Sequence, residues 1–402
     1  MKINVELLRN LFAGFIICLL AGRAMCQTTT LLYSFAGNPD AANPWGALVL
    51  DSQGNLYGGT VDGGACTQSI GCGSAFELTP LSGGGWSEKV LYSLPGGGNA
   101  YYPYSGLTVG PAGALFGETY FGDVFQLRQV SRVWQAKQIL GIADGIDAGL
   151  LFDSPTGVLV GASLYQIYEI SQKNGVWTET VLYTFTNNDP NGCGSEAPPV
   201  LDSYGNIYVS TTACGAYGWG TILRLAIHDG VWSETPIYSF KGGSDGASPL
   251  NMVFDSAGNL YGITGWGGSA SNGGTVFKLS PLAGGKFAET ILHRFTGGKD
   301  GAFPVGGVVL GADGSLYGTT DSGGGGGTCQ NGSQGYCGTI FKLSPPTTRG
   351  QPWTETILHS FVGGTDGENP SGSVIFDSAG NLYGTTYGGG TFGFGTVFEV
   401  AP

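Results

Sequence analysis

Charged residues and histidine are scarce in this sequence. Charged side chains make up 11% of the 402 residues, three residues are histidine, and 29 acidic residues outnumber 16 lysines and arginines. The acidic excess disfavours nucleic acids and anionic membrane surfaces as partners, because both repel a negatively charged protein. The low number of histidine and arginine side chains also weighs against an enzyme. None of the histidines adjoins a cysteine, which disfavours a zinc site.

Long hydrophobic runs and helical periodicity are also lacking beyond the N-terminus. Residues 11–21 form an apolar run that follows Lys2 and Arg9 and precedes several small residues. This pattern predicts a signal peptide over residues 1–26, with an uncleaved N-terminal anchor as the alternative. The mature chain then carries 13 basic and 28 acidic residues, a formal charge of −15. We expect a secreted protein, extracellular or periplasmic, without stable membrane insertion after signal cleavage.

Glycine, by contrast, is abundant. The chain has 75 glycines, far more than the roughly 7% of an average protein. They form no collagen triplet, and aromatic and β-branched residues are plentiful between them. This composition indicates a turn-rich β protein and excludes a disordered or collagen-like chain.

One short segment recurs seven times along the chain. Its last copy, residues 377–386, reads Asp-Ser-Ala-Gly-Asn-Leu-Tyr-Gly-Thr-Thr: a strand end, a tight Gly-Asn turn and a second strand. The turn glycines of the seven copies are Gly54, Gly113, Gly157, Gly205, Gly258, Gly314 and Gly380. A constant core at irregular spacing indicates one four-stranded unit with loops of variable length.

Seven such units predict an all-β fold, a seven-bladed β-propeller with four-stranded antiparallel blades, in one domain of residues 27–402. The last unit, 373–400, ends after its third strand, and residues 28–35 read as a fourth strand without the other three. We therefore predict that the N-terminal strand completes the last blade and closes the ring. The alternative, an open β-solenoid, leaves both fragments with unpaired edges.

The repeat resembles that of a secreted bacterial tandem-repeat family, the GloVer-containing proteins. The shared pattern is Leu-Tyr-Ser-Phe, Gly-Gly-x-Asp-Gly, Asp-x-x-Gly-Asn-Leu-Tyr-Gly-Thr-Thr and Gly-Thr-Val-Phe-Lys-Leu. It is clearest in residues 238–279, 293–343 and 359–400. Its core is also similar to propeller repeats of bacterial sensor ectodomains. The resemblance implies a propeller and export, and it implies no particular biochemical activity.

The cysteines of the mature chain fall into three local pairs. Secretion favours disulfides between the members of each pair, and zinc binding is the less favoured alternative. The predicted bonds are Cys66–Cys72, Cys193–Cys214 and Cys329–Cys337.

Two sets of loops meet at the same end of every predicted blade: those leading into strand one and those leaving strand two. We call this end the loop face, and the opposite end, with the tight Gly-Asn turns, the turn face. Long, variable loops are where binding concentrates. The Gly-Gly-x-Asp-Gly motifs place Asp245, Asp300 and Asp366 on the loop face as candidate ligand-binding residues. The alternative is that each aspartate only stabilises a turn.

Aromatic residues of the loop face do not repeat from unit to unit, so they carry more information about binding. They are suited to stacking on sugars or partner side chains, with packing over the blade ends as the alternative. The candidates are Trp45, Tyr102, Tyr120, Trp219, Trp266 and Phe303. Calcium is a weaker possibility at Asp189 and Asn191, in a segment that matches only the first half of a calcium loop. No catalytic residue and no other cofactor is predicted.

The sequence favours a monomeric binding or interaction module whose partner is an extracellular glycan or protein. Two alternatives stay open: a polysaccharide lyase or glycoside hydrolase on the same scaffold, and a structural envelope protein. An enzyme predicts acidic, basic or tyrosine groups that converge in an axial pocket, whereas a binding module predicts an exposed aromatic shelf.

Overall fold

The computed structural model describes residues 28–66, 71–96, 103, 105–142, 148–327, 329 and 337–401. The predicted signal peptide lies outside these residues. The described chain forms seven antiparallel sheets arranged as the blades of a propeller, as the repeats predict. The strands that line the central cavity are first strands of their blades. Within the described residues no helix is long and apolar enough to cross a membrane.

Blades 1 to 3 each contain four consecutive strands. Blade 1 has β2 (Ala41–Leu50), β3 (Leu56–Gly63), β4 (Ser74–Pro80) and β5 (Trp86–Ser93). Blade 2 has β6 (Leu107–Val109), β7 (Leu115–Glu118), β8 (Asp123–Val130) and β9 (Val133–Gly141). Blade 3 has β10 (Leu150–Asp153), β11 (Val158–Ala162), β12 (Gln166–Lys173) and β13 (Val176–Thr184).

Blades 4 to 6 repeat this order. Blade 4 has β14 (Val200–Leu201), β15 (Ile207–Thr211), β16 (Thr221–His228) and β17 (Val231–Ser239). Blade 5 has β18 (Ala247–Phe254), β19 (Leu260–Trp266), β20 (Thr275–Pro281) and β21 (Phe287–Arg294). Blade 6 has β22 (Ala302–Leu310), β23 (Leu316–Ser322), β24 (Thr339–Ser344) and β25 (Thr354–Ser360). Single 3₁₀ turns lie at Pro111–Gly113, Gly243–Asp245, Ala283–Gly285 and Gly364–Asp366.

Blade 7 combines the two ends of the chain. Its strands are β26 (Glu368–Pro370), β27 (Ile375–Phe376), β28 (Leu382–Gly388), β29 (Thr396–Ala401) and β1 (Thr28–Ser34). β1 runs antiparallel to β29, from Thr28 opposite Ala401 to Ser34 opposite Thr396. The predicted closure by the N-terminal strand is therefore confirmed, although the sheet begins at Glu368, ahead of the start at 373 taken from the sequence.

The recurring Asp-x-x-Gly-Asn segment forms the turn between strands one and two. In blade 7, Asp377 Oδ1 accepts hydrogen bonds from the backbone N–H groups of Ala379 and Asn381, both at 2.9 Å. Its Oδ2 accepts from Asn381 Nδ2 at 2.8 Å and from the Tyr383 hydroxyl at 3.2 Å. Burial opposes ionisation, but these hydrogen bonds together lower the pKa of Asp377. Gly380 has a φ of +91°, a conformation that favours glycine.

A glycine-to-proline contact joins neighbouring blades. A Cβ on Gly274, at the start of β20, would lie 2.6 Å from Pro304 Cδ in the first strand of blade 6. The same contact joins Gly395 of blade 7 to Pro44 of blade 1, at 2.5 Å. Any larger side chain would collide with the proline ring, so glycine is required for the blades to approach this closely. These contacts fix where the first strands enter the ring.

Candidate functional site

The first strands bulge where they approach the propeller axis. The pairing register shifts between Trp45 and Val49 in blade 1, between Pro249 and Met252 in blade 5, and between Pro304 and Val308 in blade 6. A β-bulge bends its strand and redirects the side chains. The bulged residues accordingly line the central cavity.

Glycines at the bulges bring the backbones of neighbouring blades together. We call Gly46, Gly106, Gly306 and Gly372 the glycine collar. A Cβ on Gly372 would overlap the carbonyl of Gly46, and one on Gly46 would lie 2.5 Å from the Gly106 nitrogen. In blade 5 the collar position holds Asn251, whose Nδ2 donates to the Gly306 carbonyl at 2.8 Å. The collar residues thus pack the backbones of neighbouring blades closely together around the axis.

A cavity of about 570 Å³ opens at this collar. Trp45, Leu250 and Val305 line it from the first strands of blades 1, 5 and 6, and Ser371, directly after β26, lines it from blade 7. The loop side contributes Tyr120, Leu164 and Glu196. Its size falls within the roughly 300–1,000 Å³ of small-molecule sites, and its wall is mostly apolar with a few polar groups, as in such sites.

The polar groups of the cavity are few. Glu196 is the one carboxylic acid among the described residues that line it. Although Glu196 retains exposed surface, desolvation by the surrounding protein raises its pKa. Asn251 Oδ1 is buried and accepts no hydrogen bond within the described part of the chain. The lining thus provides single acceptors, and its described residues include no pair of carboxylates of the kind that glycoside hydrolysis uses.

Exposed aromatic side chains lie on the loop face at blades 4 and 5, and Leu250 of blade 5 lines the cavity. Trp219 is 52% exposed and Trp266 is 50% exposed. Trp266 pairs across the sheet with Ala247, and its ring contacts Phe303 edge to face at 4.9 Å. The carbonyl of Trp219 accepts a hydrogen bond from the backbone of Ser248, next to Ala247. Trp219, Trp266 and Phe303 thus lie around blade 5, and we call them the aromatic shelf.

The other predicted aromatic residues have different placements. Trp45 and Tyr120 line the cavity, and the Trp45 ring contacts Tyr387 edge to face at 5.6 Å. Tyr102 lies outside the described residues. The structure therefore brings five of the six predicted aromatic residues to the cavity or the shelf beside it.

The predicted aspartates lie in separate turns between blades. Asp245 accepts a hydrogen bond from Tyr238 at 2.7 Å and from the Lys241 N–H at 2.7 Å. Asp300 and Asp366 accept the equivalent backbone bonds from Thr296, at 2.8 Å, and Val362, at 2.9 Å. These contacts show how each carboxylate stabilises its turn. A role in ligand binding stays a prediction.

The three predicted disulfides are present. The bonds are Cys66–Cys72, Cys193–Cys214 and Cys329–Cys337, with Cα–Cα distances of 6.1, 5.3 and 5.5 Å. Cys329 and Cys337 lie close to Glu368, but both sulfur atoms belong to the disulfide.

The weak calcium candidate lies beside the Cys193–Cys214 disulfide. Asp189 is 4% exposed and accepts hydrogen bonds from Tyr183 and from the backbone of Asn191. Burial opposes ionisation, yet these bonds lower its pKa. A calcium ion at Asp189 and Asn191 remains a prediction.

Acidic pairs lie between blades near the same face. Glu355, on β25, is 3.4 Å from His293 Nε2, and His293 is 3.7 Å from Asp300. Desolvation and the nearby charge of Asp300 raise the pKa of Glu355 to about 8. Desolvation and the nearby charge of Asp40 likewise raise the pKa of Glu88 to about 8. These side chains lie in the blade interfaces, so their shifts indicate pH-dependent stability more directly than catalysis.

Residues 161–328 match the family model described as the Gloeobacter/Verrucomicrobia repeat. The chain is a tandem-repeat β-propeller, and this segment of it is similar to the Gloeobacter/Verrucomicrobia repeat. The matched part of this repeat propeller includes all three residues of the aromatic shelf. The search of curated proteins found no match.

Several solved structures share the fold. PorZ, an essential surface component of the type-IX secretion system of Porphyromonas gingivalis, is 15% identical with a TM-score of 0.54 and covers 91% of this chain and 47% of that chain. The extracellular domain of a one-component system from B. thetaiotaomicron is 13% identical with a TM-score of 0.53, and the match covers 91% of this chain and 39% of that chain. An oligogalacturonate lyase from Vibrio parahaemolyticus is 11% identical with a TM-score of 0.52, and the match covers 92% of this chain and 93% of that chain.

The repeat propeller has site residues that sequence reasoning missed. Leu250, Val305 and Ser371 line the cavity, as do Asn251 and Glu196. A signal for the first three was present, because each follows a proline of strand one and precedes the collar position. Trp45 likewise follows Pro44, so an alignment of the repeats on this proline would have identified these residues of the cavity wall.

Proposed function

We propose that this repeat propeller is an extracellular binding module that holds a glycan at its loop face, between the aromatic shelf and the axial cavity. The observation that carries the proposal is the pair of half-exposed tryptophans, Trp219 and Trp266, beside an apolar cavity of about 570 Å³. Rigid indole rings provide large contact areas at low cost in conformational entropy.

The geometry suits a sugar chain that lies on the shelf and directs one residue into the cavity. The apolar faces of pyranose rings stack on indole, while their hydroxyl groups need isolated polar partners. Glu196, Asn251 and the cavity serines provide such partners. The three disulfides and the predicted signal peptide support an oxidising, extracellular setting for this binding.

The proposal is tested with a glycan array and a panel of soluble polysaccharides, using residues 27–402. Trp266→Ala should weaken binding of the retained glycan about tenfold or more, since centrally placed tryptophans contribute roughly 2 kcal/mol or more. The control is Phe392→Ala, because Phe392 is 57% exposed but lies in blade 7, away from the shelf. It should change affinity less than twofold.

Three outcomes would contradict the proposal. Release of shortened or unsaturated products from a polysaccharide would favour the lyase or hydrolase alternative. Equal binding by the Trp266→Ala variant would move the site away from the shelf. No binding to any glycan of the array and no binding or cleavage of any polysaccharide of the panel would favour a protein partner or a structural role in the envelope.

A further inference from the structure

A second groove lies on the turn face, at the opposite end of the blades from the shelf. A tryptophan at the start of strand four, or just before it, packs against the strand-two aromatic residue of the preceding blade at four blade interfaces. These ring pairs are Tyr57–Trp134 and Phe116–Trp177, both at 5.7 Å, Tyr261–Trp353 at 6.3 Å, and Tyr383–Trp86 at 6.4 Å. In blade 5 the corresponding residue is Phe287. The interface between blades 4 and 5 thus carries a smaller ring at this position.

A groove of about 450 Å³ opens at this interface. Tyr208 and Phe287 line it, together with the tight turns of blade 4 and blade 5. The Tyr208 ring contacts Phe254 edge to face at 4.9 Å. Replacing an indole by a phenyl ring removes packing atoms, and a well-packed interface does not readily close over such a loss. The smaller ring therefore accounts for space that a tryptophan would occupy.

Arg224 is the second departure from the repeat in this groove. It pairs with Tyr208 across the sheet, where blades 5 and 6 have Lys278 and Lys342. Those lysines lie over their own tyrosine rings, at 5.4 and 5.2 Å. The Arg224 guanidinium also interacts with its own tyrosine, Tyr208, but its Nε is buried and has no hydrogen-bond partner in the described part of the chain. An unmet buried donor costs free energy that a ligand acceptor would recover.

Tyr204 is the third departure. It stands at the tip of the blade 4 turn, is 88% exposed and lines the groove. The equivalent turn position holds Gln53, Ala257 and Ala379 in blades 1, 5 and 7. An exposed aromatic ring at a turn contributes little to folding, and here it lies in the one groove that also contains Arg224 and Phe287. Three differences from the repeat therefore meet at one place.

We propose that this turn-face groove is a second ligand site, which binds a neutral pyranose between Tyr204 and Phe287 with a ring or hydroxyl oxygen accepting from Arg224 Nε. Asp202 and Asp255 also line the groove, so its carboxylates outnumber its guanidinium and disfavour an anion. Their oxygens already accept hydrogen bonds from Asn206 and Asn259 in their turns. The ligand therefore needs an acceptor for Arg224 and an apolar face for Tyr204. This site is independent of the loop-face proposal.

The test is saturation-transfer NMR on residues 27–402 with four probes: the methyl glycosides of β-D-glucose, β-D-galactose and α-D-mannose, and D-galacturonate as the anion. We expect transfer to at least one neutral glycoside. Phe287→Trp and Arg224→Lys each install a residue that sister blades carry, so both variants should fold with unchanged circular dichroism. Each should reduce the signal at least fivefold, while Phe392→Ala, on the opposite face and outside both proposed sites, should leave it unchanged.

The two variants separate the parts of the proposal. Phe287→Trp fills the groove, whereas Arg224→Lys keeps the charge but removes the Nε donor. If one variant fails to fold, the other still decides. A signal that survives in a folded variant, a stronger signal from galacturonate than from every neutral probe, or no signal from any probe would overturn the assignment. Loss of the signal in Trp266→Ala alone would place the sugar on the loop face.

Discussion

Ring closure by the N-terminal strand makes a quantitative prediction at Phe35. This side chain is fully buried, and its ring contacts Phe76 of blade 1 edge to face at 5.0 Å. Its backbone N–H donates to the Gly395 carbonyl at 3.1 Å. Truncation of a buried phenylalanine to alanine costs about 3–5 kcal/mol. Phe35→Ala should therefore lower the free energy of unfolding by about that amount, and the melting temperature by roughly 5–10 °C.

Blade 5 provides a matched control for this change. Phe295 is also fully buried, and its ring contacts Phe341 of the next blade at 5.2 Å. If β1 is an integral strand, Phe35→Ala and Phe295→Ala should destabilise the protein equally, within about 1 kcal/mol. Leu31→Ala should have little effect, because Leu31 is 40% exposed. Urea unfolding followed by fluorescence measures all three variants. A normal loss for Phe295→Ala with none for Phe35→Ala would refute closure by the N-terminal strand.

Two further predictions concern the contacts between blades. Raised pKa values of about 8, 7 and 8 belong to Glu88, Glu289 and Glu355. Because the folded state favours their protonated forms, their stabilisation is complete below about pH 4.5 and is lost as the pH rises through 7 to 8. After solvent screening we expect a total loss of stability on the order of 3 kcal/mol, measured as a melting temperature that falls over this pH range. Glu355→Gln should make this fall shallower, and a melting temperature that does not change with pH would contradict the prediction. Gly395→Ala should lower the free energy of unfolding by about 2–4 kcal/mol, since Gly395 has a φ of +90° and its Cβ would lie 2.5 Å from Pro44. The control is Gly83→Ala, because a Cβ at Gly83 would have no atom within 4 Å. Equal melting temperatures for the two variants would contradict the close packing of these blades.

The sequence was sufficient for the architecture because the architecture is local and repeated. Each Asp-x-x-Gly-Asn turn stabilises itself through the hydrogen bonds of its own aspartate, as Asp377 shows. The closure of the ring was predictable from the incomplete units at the two ends. The first signal lies within a few residues, and the second needs only a comparison of each chain end with the complete repeat, so no knowledge of the folded ring is needed to read them.

The cavity depends on contacts that the sequence does not contain. The glycine collar forms only when Gly46, Gly106, Gly306 and Gly372 from separate blades meet around the axis. Their spacing in the chain varies with loop length, so no local pattern marks them as neighbours. The sequence placed the candidate aromatic residues on the loop face, but it could not show which of them line the cavity.

The turn-face groove illustrates the opposite case. Its three residues, Tyr204, Arg224 and Phe287, each break the repeat, and each break is visible in an alignment of the seven units. Their meeting in space depends on the packing of blade 4 against blade 5. Departures from a repeat thus indicate candidate sites only after the structure shows which departures lie together.

The central claim, that the axial cavity beside the shelf holds the ligand, is tested most directly by filling that cavity. Val305 lines it and follows Pro304, as Trp45 follows Pro44 in blade 1, so the backbone at this position accommodates tryptophan. Isothermal titration of Val305→Trp with the best-bound polysaccharide should show at least tenfold weaker binding at an unchanged melting temperature. Binding of the folded variant with wild-type affinity would contradict the claim.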